Sequence, residues 1–151
     1  MLEQPSNFIP KGRVKEVRGD CSIPESAGNR FILVPVPDNN KPNGGSVYKR
    51  WPTAEANYKH WFVNSYGKMN EWLGKINTIQ VQSDTVVVNM LCISNEEYDY
   101  EALKKCIDAV GKEAANNSGN VHMSKFGDWE KVSPLIDELL LKRGLNVTVY
   151  V

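Results

Sequence analysis

Apolar residues in this chain fall in short bursts separated by polar loops, and the period within a burst changes along the sequence. Phe31–Val36 is a continuous apolar run bounded by polar residues, the pattern of a strand covered on both faces. Thr85–Cys92, TVVVNMLC, repeats that pattern. Asn77–Gln82 alternates Ile79 and Val81 with polar neighbours, as a half-covered strand does. The end of the chain, LNVTVYV, sets Leu145, Val147, Val149 and Val151 against Asn146, Thr148 and Tyr150. Val14–Arg18 and Asn120–Met123 supply two shorter strands. The period turns helical at Leu103, Ile107, Val110 and Ala114, which predicts a helix over 99–115. Trp51, Ala54, Tyr58, Trp61 and Phe62 predict another, with Pro52 near its start. The last helix carries Leu135, Ile136, Leu139 and Leu140 inward. Asp128 or Ser133 caps it, Pro134 suits the first turn after Ser133, and Gly144 stops it. Pro35 and Pro37 put the end of ladder pairing near Val34.

Strands alternating with helices predict an α/β protein, a three-layer α/β/α sandwich around a mixed, mostly parallel sheet. A length of 151 residues fits one domain over 1–151, with residues 1–12 as a loose or docking arm.

Composition narrows the function. Apolar residues make up 41% and charged residues 24%, as in a folded globular chain. Basic and acidic residues balance at 18 each, so no polyanion-binding surface and no nucleic-acid partner is expected. Cys21, Cys92 and Cys106 are odd in number and form no C-x-x-C pair, which argues against structural zinc and disulfides and for a reducing, cytoplasmic setting. His60 and His122 lie at no metal-ligand spacing, so neither a metal nor a cofactor is expected. The start MLEQPSNFIPKG has no leader pattern, and no 18-residue apolar run suggests a membrane span.

Ligands of open α/β sheets sit outside the carboxyl ends of the strands. Three loops qualify: GDC at 19–21, DNNKPNGGS at 38–46, and SKFGD at 124–128. Glycines let a backbone approach a ligand closely, and free amides at a helix start favour anions. Two such loops face to face would hold a diphosphate. Plain structural roles stand beside each reading. Gly44-Gly45 makes a turn, Asp20 is a turn residue, and Lys49 and Arg50 are solvated cations. Trp51, Tyr58, Trp61 and Phe62 pack the core, and Cys92 is a small buried residue.

The stretches VKEVRGDC (14–21), FILVPVPDNN (31–40), NGGSVYKRWP (43–52), TVVVNML (85–91), VHMSKFGDWEKVSPLIDELL (121–140) and NVTVYV (146–151) together resemble a macro domain, the module that binds ADP-ribose. Their order and spacing cover nearly the whole chain. They are most similar to small stand-alone members of the terminal ADP-ribose glycohydrolase and ADP-ribose-1″-phosphate phosphatase types. The resemblance implies that Asp20 accepts from the adenine amino group, with the Cys21 backbone beside it. It implies Asn39 or Asn40 near the distal ribose and Asn43, Gly44, Gly45, Ser46 and Val47 in the first phosphate loop. Ser124, Lys125, Phe126, Gly127 and Asp128 then form the second.

Two departures from the family pattern stand out. The second loop is shortened, with only Gly127 and Asp128 between Phe126 and Trp129. The region after TVVVNML reads CISNEE, without the lysine of lysine-dependent glycohydrolases, so a covalent lysine mechanism is not expected. Asp128 then has two roles open to it. One is a general base, worth roughly 10²–10⁴-fold in rate. The other is a helix N-cap, worth about 1 kcal/mol. Lys125 would replace lost loop amides as a point charge on phosphate, and Phe126 would stack on a ribose or adenine face. Three functions follow. The chain binds ADP-ribose or a derivative and hydrolyses ADP-ribose-1″-phosphate or an ADP-ribosyl linkage without a metal. Or it is a non-catalytic reader or sequestering protein. Or it is an interaction protein whose aromatic stretch at 48–62 meets a protein partner. The first two require three distant loops to converge on one rim.

Overall fold

The computed structural model describes residues 9–151. Of the arm expected over 1–12, residues 1–8 lie outside the described residues. From Ile9 the chain runs along its own C-terminal region: Lys11 Nζ is 2.6 Å from Asp137 Oδ1, and the Gly12 amide donates to Leu141 O at 2.8 Å.

The elements in order are β1 (Val14–Val17), β2 (Arg30–Pro37), α1 (Gly45–Arg50), α2 (Pro52–Asn64), β3 (Ile76–Gln82), β4 (Thr85–Ser94), β5 (Glu97–Tyr98), α3 (Tyr100–Asn116), β6 (Asn120–Ser124), α4 (Trp129–Leu139) and β7 (Val147–Tyr150). They build one mixed sheet in the order β1-β7-β6-β2-β4-β3, with β5 added to β4. Only β3 and β5 run antiparallel, each against β4. The fold is the α/β sandwich that the alternation predicts.

Burial on both faces explains the unbroken apolar runs. Phe31 and Leu33 of β2 and Val88, Met90 and Cys92 of β4 join a core with Leu103, Ile107 and Val110 of α3 and Val132 and Ile136 of α4. The intervening Ile32, Val34, Val36, Val87 and Leu91 point the other way, into a core with Val47, Tyr48, Trp51, Ala54 and Tyr58 of α1 and α2. Successive strand residues face opposite sides, and each fully buried large aliphatic side chain contributes roughly 1.5–3 kcal/mol. No helix among the described residues is long and apolar enough to cross a membrane.

The structure corrects some of these expectations and decides between others. Pairing of β2 does not stop near Val34: the ladder to β4 runs to Val36↔Leu91 and, after a register shift, Pro37↔Ile93. Residues two apart present their N–H to the same edge, so Pro35 and Pro37 remove donors from one edge and leave the other free to pair. The helix expected to start near Pro52 is α2, but Trp51 lies outside it (φ −125°, ψ 78°) and closes a separate short helix, α1, that the periodicity did not predict. A residue before proline is disfavoured in the α region, and Pro52 then starts α2, where a missing N–H costs nothing. The cap of α4 is Asp128, whose carboxylate accepts from the Glu130 amide at 3.1 Å; Ser133 lies within the helix and Pro134 interrupts its interior. With that start, Val132 enters the buried stripe while Leu135 and Leu139 are half-buried. Finally, Tyr48, Trp51 and Tyr58 are buried and Trp61 and Phe62 half-buried, so the 48–62 aromatics are core rather than an exposed partner face.

Candidate functional site

β2 and β6 are paired only from Arg30↔Asn120 to Ile32↔His122. Beyond that point β6 stays with β7 as far as Ser124↔Tyr150, and β2 stays with β4. The two central strands therefore part at their carboxyl ends. The chain leaves β2 toward β4 and returns through α3 to β6 on the other side, so this gap is the switch point where α/β sheets bind ligands. A cleft of about 650 Å3 opens there, within the range of small-molecule sites.

The three loops do converge on it. Cys21 comes from the first loop, Asn39, Asn43, Gly44, Gly45, Ser46 and Val47 from the second, and Ser124 and Phe126 from the third. Direct contacts fasten them together. Cys21 Sγ lies 3.4 Å from Ser124 Oγ, joining the first loop to the third. Ser46 Oγ donates to Asp20 Oδ1 at 2.6 Å, joining the first to the second. Asp20 Oδ1 also accepts from the Ser22 amide at 2.9 Å. Those hydrogen bonds, Ser46 first, hold the Asp20 carboxyl below the usual carboxylate range. Burial pushes the Cys21 thiol up, against a smaller opposing effect from Ser124, so it stays protonated at neutral pH. The Arg50 guanidinium donates to Ser22 O and lies 4.8 Å from the Trp51 ring centroid, so it braces the first loop.

The second loop is held at both ends. The Tyr58 hydroxyl donates to Pro37 O and accepts from the Asn40 amide at 3.3 Å. Gly44 packs under the Tyr48 ring so closely that a Cβ would collide with it. Tyr48 Oη in turn donates to Asn89 Oδ1 at 2.6 Å, and Asn89 Nδ2 donates to Ala54 O and Asn77 Oδ1. A buried polar chain thus fixes α1 to β4, α2 and β3.

Asp20, Asn40, Lys125, Gly127 and Asp128 do not line the cleft. Asp20 Oδ1 is taken by the Ser46 hydroxyl and the Ser22 amide. Asn40 uses its amide on Tyr58 and takes a left-handed φ of 62°. Asn39 does line the cleft, but its Oδ1 accepts from the Lys41 amide at 2.9 Å in a local turn. The Lys125 ammonium lies 3.4 Å from Glu16 Oε1 and 5.2 Å from the Trp129 ring centroid, which directs it toward β1 and α4. Asp128 spends its carboxylate on the cap, and its amide donates to Tyr100 Oη at 2.9 Å.

Sequence reasoning missed one wall of the cleft. Ser94 and Glu97 close a hairpin whose two linking residues, Asn95 and Glu96, both have left-handed φ (53° and 65°). Hairpins favour such turns but usually place glycine there, and the tolerance of Asn for this conformation is the only cue in the sequence. The hairpin brings Ile93, Glu96 and Tyr98 to the cleft. It is tied to the second loop by Ser94 Oγ donating to Asp38 Oδ2 at 2.9 Å and by the Asp38 amide donating to Ile93 O at 3.1 Å. The Tyr98 ring stacks on Phe126, centroids 5.6 Å apart and planes 18° apart.

No protein-family model and no curated protein matches the chain. Solved structures do. A macrodomain protein from Streptomyces coelicolor is 31% identical, over 91% of this chain and 98% of that one, with a TM-score of 0.83. A protein of unknown function from Bacteroides thetaiotaomicron is 24% identical over 92% and 98%, also at 0.83. Another from the same organism is 24% identical over 93% and 98%, at 0.80. The last two agree in fold. With the identity and coverage of the first, the chain belongs to the macrodomain family.

Proposed function

We propose that this protein binds ADP-ribose or a related ADP-ribose-derived nucleotide in the cleft between the parted ends of β2 and β6. The observation that carries this reading is the convergence of Cys21, Gly44 to Ser46, and Ser124 with Phe126 on one crevice at the switch point. In this assignment the first loop holds the adenine through Cys21 at the cleft wall, with Asp20 fixing the loop to Ser46. The backbones of Gly44, Gly45, Ser46 and Ser124 hold the diphosphate. Asn39 and Phe126 lie toward the distal ribose. Titration calorimetry with ADP-ribose tests it: saturable binding is expected, and no heat at millimolar nucleotide with folded protein would overturn it.

We infer that the chain acts as a reader or sequestering module rather than a hydrolase. Asp128 is engaged as a cap, Asn39 in its own turn, and the Cys21 thiol is held protonated. The β4–β5 hairpin, CISNEE, carries no lysine. One observation favours the second reading, turnover of ADP-ribose-1″-phosphate or an ADP-ribosyl linkage: Glu96 lines the cleft and offers a carboxylate to a water. Single-turnover incubation with ADP-ribose-1″-phosphate separates the two, and release of phosphate would sink the reader assignment. Three buried free cysteines fit a reducing, cytoplasmic setting.

A further inference from the structure

We propose that Tyr98 is a specificity-determining residue of this cleft and contacts the sugar that lies beyond the diphosphate. The inference rests on the binding reading above and adds to it a residue that sets specificity for the distal sugar.

The six tyrosines of the chain sort by what their hydroxyls do. Tyr48 Oη donates to Asn89, and Tyr58 Oη to Pro37 O. Tyr100 Oη accepts from the Asp128 amide, and Tyr150 Oη pairs with His122 Nδ1 at 2.9 Å. Tyr66 is 88% exposed at the surface. Tyr98 alone lines the cleft while its hydroxyl bonds to none of the described residues. Among the described residues no buried side-chain oxygen or nitrogen lacks a partner, so this hydroxyl is not sealed from solvent. Burial of the ring, with Cys92 nearby, pushes the phenol up to about 12, so at neutral pH it keeps a proton to donate.

The ring is held in place. It stacks on Phe126 on one side and lies 6.1 Å from Tyr100, tilted by 34°. Its strand is pinned by the Ile93↔Tyr98 pair and by the Asp99 amide donating to Cys92 O at 2.8 Å. A donor on a pre-positioned ring loses little freedom when a ligand arrives.

The location selects the subsite. Asp20 is tied to Ser46, whereas the Tyr98 hairpin is tied to Asp38, next to Asn39. With the adenine at the first loop beside Cys21, the hairpin faces the opposite end of the nucleotide. ADP ends at the second phosphate, and ADP-ribose carries a further sugar whose hydroxyls accept from a phenol.

The experiment is calorimetry of the full chain and of Tyr98→Phe and Tyr98→Leu with ADP-ribose and with ADP, with thermal unfolding to confirm that both variants fold. Tyr98→Phe keeps the stack and removes only the donor. The wild-type protein is expected to prefer ADP-ribose, and Tyr98→Phe to weaken ADP-ribose binding by about three- to tenfold with ADP unchanged. Tyr98→Leu is expected to weaken ADP-ribose further. Equal ADP-ribose affinity in all three proteins would overturn the role of Tyr98 and leave the binding reading standing. Equal losses for ADP and ADP-ribose would also overturn it. Binding of neither nucleotide by the wild type would remove both proposals together.

Discussion

The Ser46 hydroxyl and the Asp20 carboxylate, 26 positions apart, meet at 2.6 Å and lock the first loop onto the start of α1. Ser46→Ala removes the largest of the effects that hold the Asp20 carboxyl low. Chemical denaturation at neutral pH is expected to show a loss of about 1 kcal/mol. The sign with pH follows from linkage. A depressed folded value stabilises above the unfolded carboxylate range, and the benefit disappears as pH falls through the folded value. The acid-side loss due to Asp20 is therefore expected to be smaller in Ser46→Ala than in wild type.

His122 adds a slope of the same sign, beginning at higher pH. It is fully buried, between Ser26 Oγ at 3.2 Å and Tyr150 Oη at 2.9 Å. Burial, helped by Arg30, lowers its value from 6.5 to about 4. Above 6.5 neither state binds the proton and stability is full. Below 6.5 the unfolded chain takes it up first, so stability falls with pH until about 4. The whole window is worth about 3 kcal/mol at most. Denaturation midpoints from pH 7.5 to 4.5, with NMR of the imidazole, check this. An imidazole already protonated at pH 6 in the folded protein would contradict it.

Gly44→Ala drives a methyl group into the Tyr48 ring, which cannot swing away without abandoning Asn89. Overpacking of this kind costs about 1–3 kcal/mol. A drop in Tm together with weaker ADP-ribose binding is expected, because the glycine backbone lines the cleft. A wild-type Tm would show that Tyr48 has room to move.

Lys125 and Asp128 give a paired control. Lys125→Ala removes a pair with Glu16 that is exposed on both sides, so stability is expected to change by less than about 1 kcal/mol. Nucleotide affinity is expected to stay within about twofold of wild type, since the side chain faces β1. Asp128→Asn keeps an N-capping oxygen and is expected to be near wild type, whereas Asp128→Ala is expected to lose about 1 kcal/mol. A large affinity loss in Lys125→Ala would mean that the lysine turns into the cleft on binding.

The elements that periodicity could reach were those whose neighbours repeat the same environment. TVVVNMLC reads as a buried strand because both faces of β4 meet apolar helices, and Leu103, Ile107 and Val110 mark the face of α3. Where one residue served two purposes, the pattern misled. Pro35 and Pro37 looked like an end to pairing because sequence shows a missing donor without showing the edge it leaves. Ser133 resembled a cap because Pro134 follows it, while Asp128 held the capping geometry. The candidate site was readable as three separate loops. Their meeting depended on strand order, and the Asn95-Glu96 turn that delivers Tyr98 lacked the glycine by which such turns are recognised.

Parting two neighbouring strands in the middle of a sheet creates a hazard as well as a pocket. The edge of β2 that β6 abandons after Ile32 is a potential template on which a foreign extended segment could pair and start aggregation. Prolines at positions 35 and 37 fall in that stretch, and each lacks the amide hydrogen such an intruder would need. The same two residues that make the run look unlike a strand thus let a β-sheet keep an open seam without inviting polymerisation.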